Sequence, residues 1–142
     1  MIFEMLLKLF TRVQVFIFRQ THVKNMSFMR GMPILLLTTT GRKSGKSRTA
    51  PLMYIRDGDN YVISASNNGR DKYPSWFHNL KNSSQVEIEV PGKHFMMSPI
   101  IATDEEQTRL WAQLVAQAPF FDDYKNGTTR PIPLVLLRPN QS

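Results

Sequence analysis

The 142-residue sequence contains no cysteine and only three histidines, His22, His78 and His94. The absence of cysteine excludes disulfide scaffolds, thiolate metal sites and cysteine nucleophiles. The histidines are far apart and lack the spacing of metal ligands, so the sequence predicts no metal site. The phosphate-binding patterns GxGxxG and GxxxxGK[ST] are also missing, which argues against a Rossmann or P-loop nucleotide site.

Negative charge is scarce in the first third of the chain. Residues 1–51 carry nine Lys and Arg against a single acid, Glu4, whereas residues 52–142 carry nine against ten acids. Such an imbalance predicts an anionic partner near the first third. The candidates are a phosphate-bearing ligand, a nucleic acid and an anionic membrane surface.

The segment Met1–His22 has the periodicity of an amphipathic helix. Lys8 and Arg12 interrupt it, and it has no small-residue cleavage site, so it predicts neither a spanning helix nor a signal peptide. Two interpretations stay open. In the first, the apolar face of this helix packs on the rest of the protein or on a second subunit. In the second, the helix lies in a membrane interface. The predicted location is cytoplasmic, and under the second interpretation peripheral at the inner face of the membrane. The apolar stripe consists of Ile2, Phe3, Leu6, Leu9, Phe10, Val13, Phe16 and Ile17.

The rest of the chain is rich in short strand patterns separated by turn residues. A short helix is predicted to open at Pro74, and a second follows the capping box of Thr103 and Glu106 and stops at Pro119. This order predicts an α+β fold, a mostly antiparallel β-barrel with covering helices. We expect an N-terminal amphipathic helix over residues 1–24 and one barrel domain over residues 25–142. The predicted strands are Pro33–Thr40, Arg48–Arg56, Asn60–Ser66, Val86–Val90, His94–Ala102 and Ile132–Leu137.

One predicted turn, residues 41–48, holds four cations: Arg42, Lys43, Lys46 and Arg48. Like charges fixed in a tight turn repel, and a bound phosphate would reverse that repulsion. Gly41 and Gly45 can take positive φ angles and let backbone N–H groups approach an anion. Judged by composition alone, residues 41–48 could equally be a solvated surface turn that binds no anion.

Four segments carry a resemblance to a known family. They are LLTTTGRKSGKSRTAPLMY, DGDNYVISAS, KYPSWFHNLKNSSQVEIEV and TTRPIPLVLLRP. In this order the chain resembles the deazaflavin-dependent nitroreductases, the coenzyme F420-dependent branch of the split β-barrel flavin-binding fold. The resemblance implies a split barrel, coenzyme F420 as cofactor, and hydride transfer to a small conjugated acceptor such as a quinone or a nitroaromatic compound.

The resemblance also implies roles for particular residues. Arg42, Lys43 and Arg48 correspond to phosphate-binding cations, with turn contacts from Ser44 and Gly45. The stretch beside the deazaflavin ring is Pro51, Leu52 and Met53, the segment along the cofactor is Ala65, Ser66 and Asn67, and the lid region is Lys72, Ser75 and Trp76. Ser66, Tyr124 and water are the candidates for supplying the proton in catalysis.

The sequence departs from the family pattern near the acceptor. Phe120 and Phe121 stand in the region of the family's substrate-side tyrosines, and phenylalanine cannot donate a proton. Nitro-compound activity is therefore not expected here. Together with Trp76 and Phe77, these residues suggest an aromatic, apolar acceptor such as a quinone. Asn67 stands where relatives often carry lysine, and Met53 where some carry tyrosine.

Alternatives to this prediction stay open. The same barrel could hold FMN or FAD, because phosphate cations serve all three cofactors. A non-catalytic basic module for lipid or nucleic acid also fits the charge. However, the cations are not interleaved with aromatics as in single-strand binders, so no nucleic-acid partner is predicted. A homodimer is an expectation from the fold class only.

Overall fold

The computed structural model describes Ile2, Leu6, Leu9, Thr11, Arg12 and residues 28–140. Those five N-terminal residues are helical, in agreement with the predicted helix. The other residues of Met1–His22, and the predicted domain boundary after residue 24, lie outside the described part of the chain. Among the residues described, no helix has the length and hydropathy needed to cross a bilayer.

Eight strands form the centre of the described structure, and all their pairings are antiparallel. The strands are β1 (Phe28–Met29), β2 (Met32–Thr40), β3 (Ser47–Met53), β4 (Ile55–Asp57), β5 (Asn60–Ser64), β6 (Val86–Val90), β7 (Lys93–Ile101) and β8 (Leu134–Pro139). The helices are a 3-10 turn (Asn67–Gly69), α1 (Ser75–Leu80), α2 (Asp104–Gln117) and α3 (Phe120–Asn126).

The sheet curls because one stretch of chain forms both of its edges. In sheet order the strands run β3, β2, β6, β7, β8, β5 and β4, with β1 added at the start of β2. β3 and β4 are separated only by Tyr54, whose N–H donates to the Pro33 carbonyl at 3.1 Å. The chain therefore bends at Tyr54 and passes from pairing with β2 to pairing with β5. This geometry confirms the predicted antiparallel barrel.

Strand β2 is buried on both faces, as its unbroken apolar run predicts. Leu35 and Leu37 are fully buried in a cluster inside the curled sheet, whereas Ile34 and Leu36 face the other side. Helix α1 closes one end of the inner cluster with Trp76 and its neighbours. The inner cluster comprises Leu35, Leu37, Tyr61, Ile63, Ala65, Trp76, Phe77, Leu80, Val86, Ile88, Val90, Met97, Val135 and Leu137.

Helices α2 and α3 pack on the outside of the barrel. The predicted capping box opens α2, where the Thr103 hydroxyl accepts from the Glu106 N–H at 3.2 Å and the Glu106 carboxylate accepts from the Thr103 N–H at 3.0 Å. Leu110 and Leu114 are buried against Leu134 and Leu136 of β8. This outer layer leaves the basic turn between β2 and β3 uncovered by α2 and α3.

The sequence did not predict α3. Pro119 ends the preceding helix as expected, but it also begins the next one, since proline is tolerated at a helix start. Phe121 is buried, and the Trp111 indole N–H donates to the Asp122 carboxylate at 3.1 Å. The short helix is thus held by tertiary contacts with α2 that a local pattern does not reveal.

Three predicted strands differ from the structure by more than a one-residue shift at an end, and the short strand β1 was not predicted. The predicted strand Arg48–Arg56 is broken at Tyr54, and the predicted strand Asn60–Ser66 ends at Ser64. The last strand runs over Leu134–Pro139, so it both starts and ends two residues later than predicted.

Candidate functional site

The basic turn between β2 and β3 is held by its own backbone. The Gly41 N–H donates to the Lys46 carbonyl at 2.8 Å, and the Gly45 N–H donates to the Gly41 carbonyl at 2.9 Å. Gly45 has a φ of +70°, as predicted for a turn glycine. Gly41 is not in that region, but a Cβ there would lie 2.7 Å from the Ser44 hydroxyl oxygen. Gly45 therefore provides a left-handed turn position, whereas a side chain at Gly41 would crowd the Ser44 hydroxyl.

Asn79 of helix α1 ties this turn to the rest of the protein. Its side chain is buried; its amide nitrogen donates to the Thr39 hydroxyl at 3.1 Å, and its amide oxygen accepts from the Arg42 N–H at 3.1 Å. The start of the turn is thereby fixed to the helix that carries Trp76. Sequence reasoning missed Asn79, although a single amide among the apolar residues of a short helix is a usable signal.

A cleft of about 870 Å³ opens beside the turn. Four cations from two parts of the chain line it, Arg12 near the N-terminus and Arg42, Lys43 and Arg48 in the turn. Among the described residues, no acid lines it. The described lining is Thr11, Arg12, Gly41, Arg42, Lys43, Ser44, Ser47, Arg48, Thr49, Ala50, Asn67, Ser75, Trp76 and Asn79.

The turn cations Arg42, Lys43 and Arg48 have no carboxylate within 4 Å in the described part of the chain. Partial burial and the nearby Arg42 and Lys81 cations lower the pKa of His78, so its imidazole is neutral at neutral pH. The described lining of the cleft therefore carries a net positive charge, which suits an anion.

The segment that follows β5 forms another part of the lining. Asn67, Asn68 and Gly69 adopt left-handed φ angles of 47°, 55° and 79° in succession. The Asn67 amide donates to the Lys72 carbonyl at 2.9 Å, and Asn67 itself lines the cleft. Left-handed non-glycine residues cost energy and cluster at functional sites, because surrounding contacts must hold them.

The structure brings about half of the predicted site residues to the cleft. Those that line it are Arg42, Lys43, Ser44, Arg48, Asn67, Ser75 and Trp76. Those outside its lining are Gly45, Pro51, Leu52, Met53, Ala65, Ser66, Lys72 and Tyr124. The roles inferred from resemblance remain predictions for both groups.

Several residues outside the lining have clear structural positions. Leu52 packs on the inner cluster, Met53 packs on the outer ones, and Ala65 is fully buried. Ser66 is also buried. The Tyr124 hydroxyl accepts from Arg30 at 2.8 Å, away from the lining of the cleft.

The four aromatic residues expected near the acceptor do not form one surface. Trp76 and Phe77 belong to the inner cluster, whereas Phe120 and Phe121 belong to or pack against the outer one. Of the four, only Trp76 lines the cleft. The two pairs are separated because α3 lies on the outside of the barrel.

A family model for F420H2-dependent quinone reductases matches residues 10–139. An F420H2-dependent quinone reductase of Mycobacterium tuberculosis strain H37Rv is 45% identical over 109 residues, which cover 74% of this chain and 72% of the relative. A second protein of that strain, whose name also describes an F420H2-dependent quinone reductase, is 36% identical over 79% of this chain and 94% of its own length.

Solved structures agree with the sequence comparisons. An F420H2-dependent reductase superposes with a TM-score of 0.68 at 34% identity, covering 75% of this chain and 94% of that one. A chain described as a domain-swapped dimer superposes with a TM-score of 0.70 at 30% identity, covering 89% and 96%. A pyridoxamine 5'-phosphate oxidase-like protein from Listeria innocua, 13% identical with a TM-score of 0.54, shares the fold.

Proposed function

Because the chain belongs to the family of F420H2-dependent quinone reductases, oxidoreductases whose cofactor is coenzyme F420, we propose that its basic cleft binds the phosphate of that cofactor. Arg42, Lys43 and Arg48 would hold the phosphate, and Ser44 and the turn backbone would add hydrogen bonds. The observation that carries the proposal is a cleft whose described lining holds four cations and no acid.

The residues present fit the cofactor's anionic part. Each like-charge pair in the turn costs roughly a few tenths of a kcal/mol when solvated. Each charge-assisted bond to phosphate contributes about 1.5–3 kcal/mol, so two such bonds outweigh the repulsion. The turn is held in place by Asn79 before any ligand arrives, which lowers the entropy cost of binding.

The family's cofactor, when bound in its reduced form, supplies the hydride that a quinone accepts. The protein's part is to bind, orient and shield. Trp76 is only 8% exposed, yet it lines the cleft, so it offers an aromatic edge next to the charged turn. Asn67 and Ser75 add polar groups to the same lining.

The source of the proton is proposed among Ser66, Tyr124 and water. Tyr124 accepts a hydrogen bond from Arg30 and so keeps its own proton available to donate. Phe120, by contrast, lies under the Arg30 guanidinium at 3.8 Å and has no proton to give. We propose a quinone rather than a nitroaromatic compound as the acceptor. The reason is that Tyr124 is the one tyrosine in the region where the family pattern places several, and Phe120 and Phe121 have no hydroxyl group.

Fluorescence titration with coenzyme F420 tests the function. We expect the purified protein to quench the cofactor's fluorescence at micromolar concentrations, and FMN and FAD to bind more weakly. Reduced cofactor should then be oxidised when a soluble quinone is added. A folded protein that neither quenches F420 nor supports this oxidation would contradict the proposal, and preference for FMN would favour the flavin alternative.

We also propose that the N-terminal segment makes a peripheral membrane contact from the cytoplasmic side. Ile2, Leu6 and Leu9 are 75%, 58% and 58% exposed, and they recur at helical spacing near the cationic cleft residue Arg12. Co-sedimentation with vesicles tests this. Binding to anionic but not to neutral vesicles supports the contact, and equal recovery in the supernatant contradicts it.

A homodimer is proposed on two observations. One solved neighbour is described as a domain-swapped dimer, and a groove of about 640 Å³ beside β7 carries the exposed Phe95 and Met96. Sedimentation equilibrium measures the outcome directly. A mass of twice 16.4 kDa supports the dimer, and a mass of 16.4 kDa at all concentrations contradicts it.

A further inference from the structure

We propose that Arg130 is a positioning residue that fixes the wall of the cleft formed by residues 65–73 and the start of α1. Arg130 precedes β8 and does not itself line the cleft. The inference rests on the proposed function, since it concerns how the same cleft is shaped for its cofactor.

The guanidinium of Arg130 has all five of its N–H groups occupied by backbone carbonyls. Four of these carbonyls belong to one segment, and the fifth is its own neighbour's. Nη1 donates to Ala65 and Pro131 at 3.0 and 2.9 Å, Nη2 to Ser66 and Lys72 at 3.0 and 3.2 Å, and Nε to Arg70 at 2.9 Å. Its Cζ also lies 4.5 Å from the centre of the Tyr73 ring.

This arrangement explains how a strained segment keeps its shape. Two successive left-handed asparagines, Asn67 and Asn68, are unfavourable unless other contacts hold them. Carbonyl dipoles that converge on one point repel one another, and a cation at that point removes the repulsion. The guanidinium supplies the cation and a planar set of donors together.

The segment held by Arg130 leads directly to the cleft. Asn67 lines the cleft and lies in the held segment, and α1 begins just after it with Ser75 and Trp76, which line the cleft as well. Arg130 has no carboxylate within 4 Å among the residues described. Arg130 therefore acts by holding the backbone carbonyls of residues 65–72. Its effect on a bound ligand is transmitted by Asn67 and by the start of α1, which line the cleft.

The test compares wild type with Arg130→Lys and Arg130→Ala. Lysine keeps the positive charge but has three donors and no planar group, and alanine has neither charge nor donors, so neither can hold the five carbonyls. We therefore expect both variants to bind F420 about tenfold more weakly than wild type. Amide hydrogen exchange should speed up in residues 66–73 and stay unchanged in β2 and β8. Millimolar methylguanidinium should restore part of the Arg130→Ala affinity, whereas methylammonium should not.

Arg109→Ala is the matched control. Arg109 also makes two side-chain bonds between distant parts of the chain, to the Asp57 carboxylate at 3.1 and 3.2 Å, but neither residue lines the cleft. We expect this variant to keep wild-type F420 affinity. An Arg130→Lys variant with unchanged affinity and unchanged exchange in residues 66–73 would overturn the inference, as would equal affinity losses in the two arginine-to-alanine variants. The exchange measurement needs no cofactor, so it stays decisive if wild type itself fails to bind F420.

Discussion

Replacing Arg42 and Lys43 together with alanine should weaken F420 binding by about 100-fold or more. The change removes two cations that line the cleft and have no carboxylate partner among the described residues. Two charge-assisted bonds at about 1.5–3 kcal/mol each correspond to at least that loss. Fluorescence titration measures it, and the wild-type affinity should fall with added salt more steeply than that of the variant.

Lys46→Ala is the control for this prediction. Lys46 lies in the same turn and carries the same charge, but it is exposed and does not line the cleft. Its backbone bond to Gly41 does not depend on its side chain. Affinity should therefore stay within about threefold of wild type, as expected for a solvated surface charge. Equal losses in Lys46→Ala and the double variant would mean that overall charge, and not the cleft, attracts the cofactor.

Gly69→Ala should be strongly destabilising. Gly69 has a φ of +79°, and an added Cβ would lie 3.1 Å from both the Cα and the carbonyl oxygen of Tyr124. Left-handed strain and the contact with backbone atoms together should lower the free energy of unfolding by about 2–4 kcal/mol. Urea denaturation measures this. F420 affinity should fall in parallel, because Asn67 lies in the same turn.

Gly58→Ala separates the two causes. Gly58 has a similar φ of +62°, but a Cβ there would meet no atom within 4 Å. Only the conformational strain applies, so the loss should be about 1 kcal/mol. If the two variants lose equal stability, the contact of the new Cβ with α3 contributes nothing to the loss in Gly69→Ala.

The barrel could be predicted from the sequence because its signals are local. The apolar run of β2, the turn at Gly58 and the capping box of Thr103 each determine a short element. The antiparallel order then follows from short connections between strands. The basic turn was predicted for the same reason: its glycines and cations are contiguous in the sequence.

Long-range polar contacts could not be predicted in this way. Arg130 binds carbonyls about 60 residues earlier in the chain, and Asn79 binds groups about 40 residues earlier. Neither contact leaves a periodic pattern in the sequence. The break at Tyr54 and the helix α3 likewise depend on what packs against them, so local propensity gave no sign of either.

The central claim is that the cations Arg42, Lys43 and Arg48 of the β2–β3 turn bind the phosphate of coenzyme F420. A crystal structure of the complex tests it most directly. The account predicts phosphate oxygens within about 3.2 Å of nitrogen atoms of Arg42, Lys43 and Arg48, with the ring system extending toward Trp76. A complex in which the phosphate lies elsewhere, with these three side chains in bulk solvent, would contradict it.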